Sequence, residues 1–325
     1  MTQTPPIRTS STSRVITRFL SQQGVWIALL ALILFGALRY DGFLGTYNIS
    51  SVLRYNAMFG LISLGMAFVI MTGGIDLSVG SVVAFASVVA ALMSPYGWLP
   101  AVVVPVLAAT LLGFINGLII TRLRILPFIA TLAMLLAARG LALILAGNQS
   151  VSVASEGGFI NIGQGDFLGL PIPAVILFVA FAIGWLVLNH TGFGRHVLGL
   201  GGGEEATRLM GLNVDRIKIS VYTLSGALAG IAGIILAAQF SAGQPTEGLG
   251  WELSAIASVV VGGTLLTGGT GTIGGTLGGA LLLGLIFNVL NFENGRGIIS
   301  LSAYWQSVIR GFFLLLVVIL QNRRR

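Results

Sequence analysis

The run Thr72-Gly-Gly-Ile-Asp-Leu-Ser-Val-Gly-Ser81 places one carboxylate, Asp76, between two strongly apolar stretches. No other Asp or Glu occurs between Gly42 and Ser155. A charge at bilayer depth costs at least ~2.5–3.5 kcal/mol, so such an acid usually lines a polar cavity or caps a broken helix. The flanking glycines permit irregular backbone, which survives at membrane depth only inside protein or along water. Two compatible readings follow. Asp76 belongs to a transport pathway, or it sits at a membrane-surface turn and caps the helix that starts near Leu77.

Working outward, the 325 residues are 55% hydrophobic and 8% charged, with a mean hydropathy of +0.97. Soluble domains carry about 25% charged residues. The chain is therefore a polytopic all-α membrane protein, with a length that fits one membrane domain. Zero Cys excludes disulfides, thiol catalysis and Cys-ligated metal. His190 and His196 are the only imidazoles and have no nearby acids, so no metal is expected. The net charge of +7 follows topology rather than a nucleic-acid partner.

Hydropathy gives about ten spans of the ~17–25 residues a bilayer needs, several of them short. They fall near 25–39, 52–71, 77–94, 100–120, 125–146, 172–189, 218–240, 253–268, 273–291 and 303–321. The first, third and eighth are marginal, and the eighth and ninth meet at a Gly-rich break that suits a re-entrant or kinked path. With both termini cytoplasmic, the inside segments hold Arg8, Arg14, Arg18, Arg122, Arg124, Arg195, Arg208, Arg216, Lys218 and Arg323 to Arg325, twelve cations. The outside holds three, Arg39, Arg54 and Arg296. That bias obeys the positive-inside rule. The expected organisation is a cytoplasmic tail over 1–24, a permease domain over 25–321 with a cytoplasmic loop at 191–217, and a tail at 322–325.

Close helix packing explains the G-x-x-x-G pairs Gly113/Gly117, Gly274/Gly278 and Gly275/Gly279. Met71-Thr-Gly-Gly74 echoes Leu266-Thr-Gly-Gly269 and hints at a parallel internal repeat. Gly269-x-Gly271-x-x-Gly274 matches the dinucleotide fingerprint in letters only, because an apolar span follows instead of a soluble strand–turn–helix unit. The one lysine, Lys218, lies between two isoleucines, so no P-loop exists. ATP-driven work needs a partner subunit, no cofactor is expected on this chain, and the chain is not expected to be an enzyme.

The loop 191–217 contains Glu204-Glu-Ala-Thr-Arg-Leu-Met-Gly211. Acids at its start suit a helix N-terminus, Ala206, Leu209 and Met210 share a face, and Gly211 suits the left-handed residue that ends a helix. So short a helix is unstable alone. It docks on this protein's own surface or in a partner's groove.

This segment resembles the EAA-type coupling loop of ABC importer permeases. The run at 72–81 resembles the ribose/galactose/xylose-type sugar permeases, as do Leu126-Pro-Phe-Ile-Ala-Thr-Leu132 with Arg139-Gly140, and Glu252-Leu-Ser-Ala-Ile-Ala257 leading into Val261-Gly-Gly-Thr-Leu-Leu-Thr-Gly-Gly269. The likeness runs from about Val52 to the C-terminus. Two departures stand out. Gly201-Gly-Gly-Glu204 replaces the family's Gly-Gly-Asn-Pro before Glu-Ala, and Ser254 replaces a usual acid.

The resemblance implies the permease subunit of a bacterial inner-membrane importer for a monosaccharide. Its partners would be ATP-binding subunits, a second permease copy or paralogue, a periplasmic sugar-binding protein and membrane lipid, with no nucleic acid. Glu204, Glu205, Ala206, Arg208, Leu209, Met210 and Gly211 would couple to the ATPase. Asp76, Ser78, Asn116 and Thr131 are the pathway candidates. The competing reading is an ion-coupled secondary transporter or channel with Asp76 as its ion site.

Overall fold

The computed structural model describes residues 11–154 and 156–295, together with Trp305, Val308, Gly311 and Phe312; side chains are described from Gly24 onward. Most of the expected tenth span, the two terminal tails up to residue 10 and beyond 321, and Arg296 and Arg310 lie outside these residues. The helices are α1 Ser11–Arg39, α2 Thr46–Met71, α3 Val79–Met93, α4 Trp98–Arg122, α5 Pro127–Ala146, α6 Asn161–Gln164, α7 Ile172–His190, α8 Gly192–Gly202, α9 Glu204–Leu209, α10 Val214–Phe240, α11 Trp251–Val261 and α12 Ile273–Gly295. Among the described residues seven are long and apolar enough to cross a membrane: α2, α3 with its 3-10 extension to Tyr96, α4, α5, α7, α10 and α12. The protein is therefore a multi-pass helical membrane protein.

Helices α2, α3 and α10 are mostly buried and form an inner layer; α4, α5 and α7 expose apolar faces around it. The inner packing rests on missing side chains. Gly113 of α4 lies against the Tyr222 carbonyl and Gly226 of α10, and a Cβ on Gly117 would stand 2.7 Å from Ile219 Cα. Gly275 and Gly279 of α12 meet the carbonyls of Gly262, the C-cap of α11, and of Ser258 within it. The third pair divides: Gly278 packs on Val25 of α1, whereas Gly274 faces open space.

The expected eighth span is corrected. Its helix, α11, has 11 residues, which is ~17 Å at 1.5 Å per residue, about half of a ~30 Å apolar core. Trp251, its first residue, packs on Phe59, halfway along α2, with ring centroids 4.5 Å apart. The helix thus starts at mid-depth; before it, Ala242–Gly243 pairs antiparallel with Val151–Ser152, and residues 244–250 lead down to it as irregular chain. Hydropathy alone counts the Gly/Thr-rich stretch after Val261 as apolar, but Gly262-Gly263 ends the helix. The N–H groups of Gly263 and Thr264 return to the Val260 and Val259 carbonyls, with Gly263 at φ +91°, a Schellman ending. The first helix also departs from expectation: α1 starts at Ser11, inside the stretch read as a tail.

The same ending closes α2. Gly73 and Gly74 return to the Ile70 and Val69 carbonyls, with Gly73 at φ +80°. Helix ends therefore align Thr72-Gly73 with Gly262-Gly263, five residues before the Leu266-Thr-Gly-Gly269 echo. The echoed runs are instead partners in space: Gly269 N donates to Met71 O at 3.0 Å.

Glycine pairs of equal spacing should thus respond differently. Gly113→Leu forces α4 off α10, and overpacking of this kind costs about 1–3 kcal/mol. It should lower the melting temperature of the purified protein by several degrees, at roughly 2–4 °C per kcal/mol. Gly274→Ala should leave it unchanged. Equal melting temperatures for both variants would refute the packing assignment.

Candidate functional site

The chain leaves α2 at Thr72 and resumes helix at Val79, so the expected start near Leu77 comes two residues later. Asp76 lies in this break, 1% exposed. Its Oδ1 accepts from Ser78 N at 3.0 Å and Ser78 Oγ at 2.6 Å, and its Oδ2 accepts from Ser225 Oγ of α10 at 2.8 Å. Asn116 Nδ2 of α4 donates to Ser78 Oγ at 3.0 Å. Thr131 Oγ1 of α5 donates to Pro127 O at 2.9 Å and lies 3.4 Å from Ile75 O, which the Tyr222 hydroxyl also approaches at 3.4 Å. The four pathway candidates therefore form one polar seam joining the break to α4, α5 and α10. Each is at most 1% exposed, and none lines either cavity described below. The expected capping of the helix by Asp76 is corrected: the N-cap of α3 is Ser78, whose side chain caps nothing, and the Asp76–Ser78 N–H bond closes a turn just before the helix.

A second irregular segment is held by a residue whose role its sequence context does not reveal. Arg139, past the middle of α5, sends Nη1 to the carbonyls of Pro245 and Glu247, the latter at 2.6 Å. Gly80 of α3 lies against Gly248 and the Glu252 carboxylate. Within this segment Pro245 and Gly248 are buried against the bundle, while Thr246, Glu247 and Leu249 are exposed.

Helix α9 closely matches its expected form. It covers Glu204–Leu209, with Met210 as C-cap and Gly211 at φ +81°. Gly211 N and Leu212 N return to the Arg208 and Thr207 carbonyls. Glu204 accepts from Lys218 Nζ at 2.7 Å and Arg208 Nη2 at 3.2 Å, tying α9 to the start of α10. The Lys218 hydrogen bond is the main cause that holds the Glu204 carboxyl below its ordinary range. That contribution is complete above the unfolded-state value and fades only as pH falls through the lowered one. Thr207 is the residue buried against the protein, while Leu209 is 84% and Met210 67% exposed. Glu205, Ala206 and Arg208 are exposed with them.

Just before α9, Gly201 of α8 abuts Met71 O and Gly269 N, the atoms that join the two Gly-rich breaks. Beside this junction opens a cavity of about 740 Å3. Its walls include Thr72, Gly74, Arg122, Arg124, Glu204 and Lys218. A second cavity, of about 290 Å3, lies between α2, α11 and α12, lined by Tyr55, Asn56, Phe59, Ser254, Ser258 and Asn288 among others. The departure at Ser254 therefore falls in a cavity wall. Amides at Asn56 and Asn288 inside apolar helices were the available signal for it.

A helical bundle with Gly-rich breaks, and with an amphipathic helix exposed at the end where two of those breaks meet, has the build of a membrane transport subunit. Residues 48–318 match the family described as "Branched-chain amino acid transport system / permease component". The chain belongs to this permease family. It is 41% identical to the ribose import permease protein of Bacillus subtilis over 309 residues, 93% of this chain and 92% of the relative. Identity to the Escherichia coli K12 ribose import permease protein is 40%, over 98% of this chain and 99% of the relative. Identity to the L-arabinose ABC transporter permease protein of Azospirillum brasilense is 38%, over 98% and 96%. The resemblance to sugar ABC permeases read from the sequence holds in these relatives. No solved structure matches the chain.

The seam gives a graded expectation. Asp76→Ala strands the Ser78 and Ser225 donors, at about 1–3 kcal/mol for a buried unsatisfied group. Thermal unfolding of the purified protein should fall more for Asp76→Ala than for Ser225→Ala. Wild-type stability in Asp76→Ala would show that the seam is not structural.

Proposed function

We propose that the chain is the transmembrane permease subunit of an ABC importer, which moves a monosaccharide (pentose or hexose) delivered by a periplasmic binding protein. ATP hydrolysis lies on partner subunits. The observation that carries this reading is α9. Its base is fixed by Glu204–Lys218, yet Leu209 and Met210 point away from the protein. A large apolar pair exposed on a fixed helix suits a partner's groove, here that of an ATP-binding subunit.

On this reading the end carrying Arg122, Arg124, Arg208 and Lys218 faces the cytoplasm of a bacterial inner membrane. Both termini lie there, and the chain crosses ten times, the eighth crossing being half loop and half helix. A second permease copy or paralogue completes the pathway. Movement of α9 reaches the bundle through Gly201, whose backbone rests on the Met71–Gly269 junction. The contact is between backbones, so displacement of α8 and α9 must shift both breaks or part from them. The curated relatives, permeases for ribose and arabinose, support the sugar class.

The double variant Leu209→Asp, Met210→Asp tests the assignment. Membrane abundance should be unchanged, because both side chains are exposed. Uptake and co-purification of the ATP-binding subunits should fall on the order of 10-fold or more, the scale of losing an interface hot spot. Wild-type uptake with both charges present would sink the coupling role.

A further inference from the structure

The 290 Å3 cavity between α2, α11 and α12 carries a chemistry of its own. It stands at the lower edge of the ~300–1,000 Å3 range for small-molecule sites, room for one small ring rather than a chain of rings. Among the described residues no Asp, Glu, Lys or Arg lines it, so these residues offer nothing to balance a charged solute. One wall is aromatic: Tyr55 and Phe59 stack with ring centroids 6.4 Å apart and 24° between planes, and Phe59 leans on Trp251. Beside the aromatic groups the lining is neutral and polar. Ser258 Oγ donates to the Ser254 carbonyl, and Asn56 Nδ2 donates to the Val52 carbonyl.

Ser254 is the informative group. It belongs to the cavity wall, 7% exposed, and its buried hydroxyl has no hydrogen-bond partner among the described residues. A buried hydroxyl left unpaired costs about 1–3 kcal/mol, and α11 begins at mid-depth, where lipid supplies no partner. A hydroxyl that arrives with a ligand relieves this. Aromatic faces beside neutral hydroxyls and amides complement the C–H and O–H faces of a polyol. Discontinuous helices at mid-depth are also where transporters place substrate.

We propose that this cavity is the monosaccharide-contact site of the permease, with Ser254 and Asn56 meeting sugar hydroxyls and the Tyr55–Phe59 face meeting the ring. The inference rests on the importer reading above and adds the place and chemistry of sugar contact. It puts passage through this neutral cavity and leaves the Asp76 seam as structure.

The chain has no Cys, so Ser254→Cys installs a single thiol in it. The test uses the whole transporter, with its ATP-binding subunits and binding protein, in proteoliposomes. Labelled D-ribose, L-arabinose, D-galactose and D-xylose are the transport probes. A small methanethiosulfonate reagent is the thiol probe, read on this chain by mass. The transported sugar should slow labelling of Ser254→Cys during turnover, and sucrose should not. Ser254→Leu should cut uptake on the order of 10-fold, the scale on which overpacking acts, with basal ATP hydrolysis retained. If the wild-type complex moves none of the four sugars, the importer reading falls. If it moves one, but that sugar leaves labelling unchanged, the site assignment falls and the importer reading stands. Should Ser254→Leu fail to reach the membrane, the labelling result alone decides.

Discussion

Irregular backbone inside a lipid-embedded bundle must find every hydrogen-bond partner within the protein, and this constraint organises the molecule. Among the stretches that leave helix, three show how the constraint is met: 72–78, 244–250 and 262–272. Each is satisfied by a different device. Asp76 gathers Ser78 and Ser225 at the first, the Arg139 guanidinium takes carbonyls of the second, and the third donates Gly269 N–H to Met71 at the edge of the first. Asp76 stands where helix is missing, and Arg139 reaches from α5 to where it is missing. Helix α10 is the common support, since it supplies Ser225 and Tyr222 to the first break and is gripped by Gly113 and Gly117 of α4.

The same arrangement suits transmission of movement. Side chains can relax around a displacement by changing rotamer, whereas touching backbones cannot. Gly201 brings the α8–α9 segment onto the two joined breaks with no side chain between them. Packed interfaces of this type hold discrete arrangements rather than deforming continuously. The Schellman endings at Gly73 and Gly263 leave helices α2 and α11 intact up to the junction, so a shift there moves rigid rods.

Much of this was legible in the sequence, and the misses have physical causes. Long spans such as Trp98–Arg122 and Val214–Phe240 show because apolar length is a local property. Asp76, Ser78, Asn116 and Thr131 stand out as polar residues in apolar runs, and they do converge in space. Their partners do not stand out: Ser225 lies 149 positions from Asp76, and no local spacing announces such a pair. Hydropathy missed the end of α11 because glycine is neutral on an apolar scale yet terminates helices through its backbone. The echo of Thr-Gly-Gly extends to a like turn, since Gly73 and Gly268 are both left-handed and bond back to Ile70 and Leu265, but only the first turn ends a helix and the two copies touch each other. For α9 the sequence showed which residues share an apolar face, while only the fold shows that Thr207 turns inward and Leu209 outward.

The separation between the Asp76 seam and the neutral cavity has an energetic logic. A carboxylate with both oxygens engaged and no exposure is costly to rearrange, because each lost bond leaves a buried group unpaired. Such a group suits a fixed part of a transporter. A site that must fill and empty in every cycle has the opposite need, since tight binding would slow release. Aromatic contact and one or two neutral hydrogen bonds give shape and polarity selection without a deep energy well. The neutral hydroxyl of Ser254 fits that need. A neutral hydroxyl can lose its ligand at the cost of one unpaired group, whereas a carboxylate at the same depth would face the far larger cost of an unpaired charge.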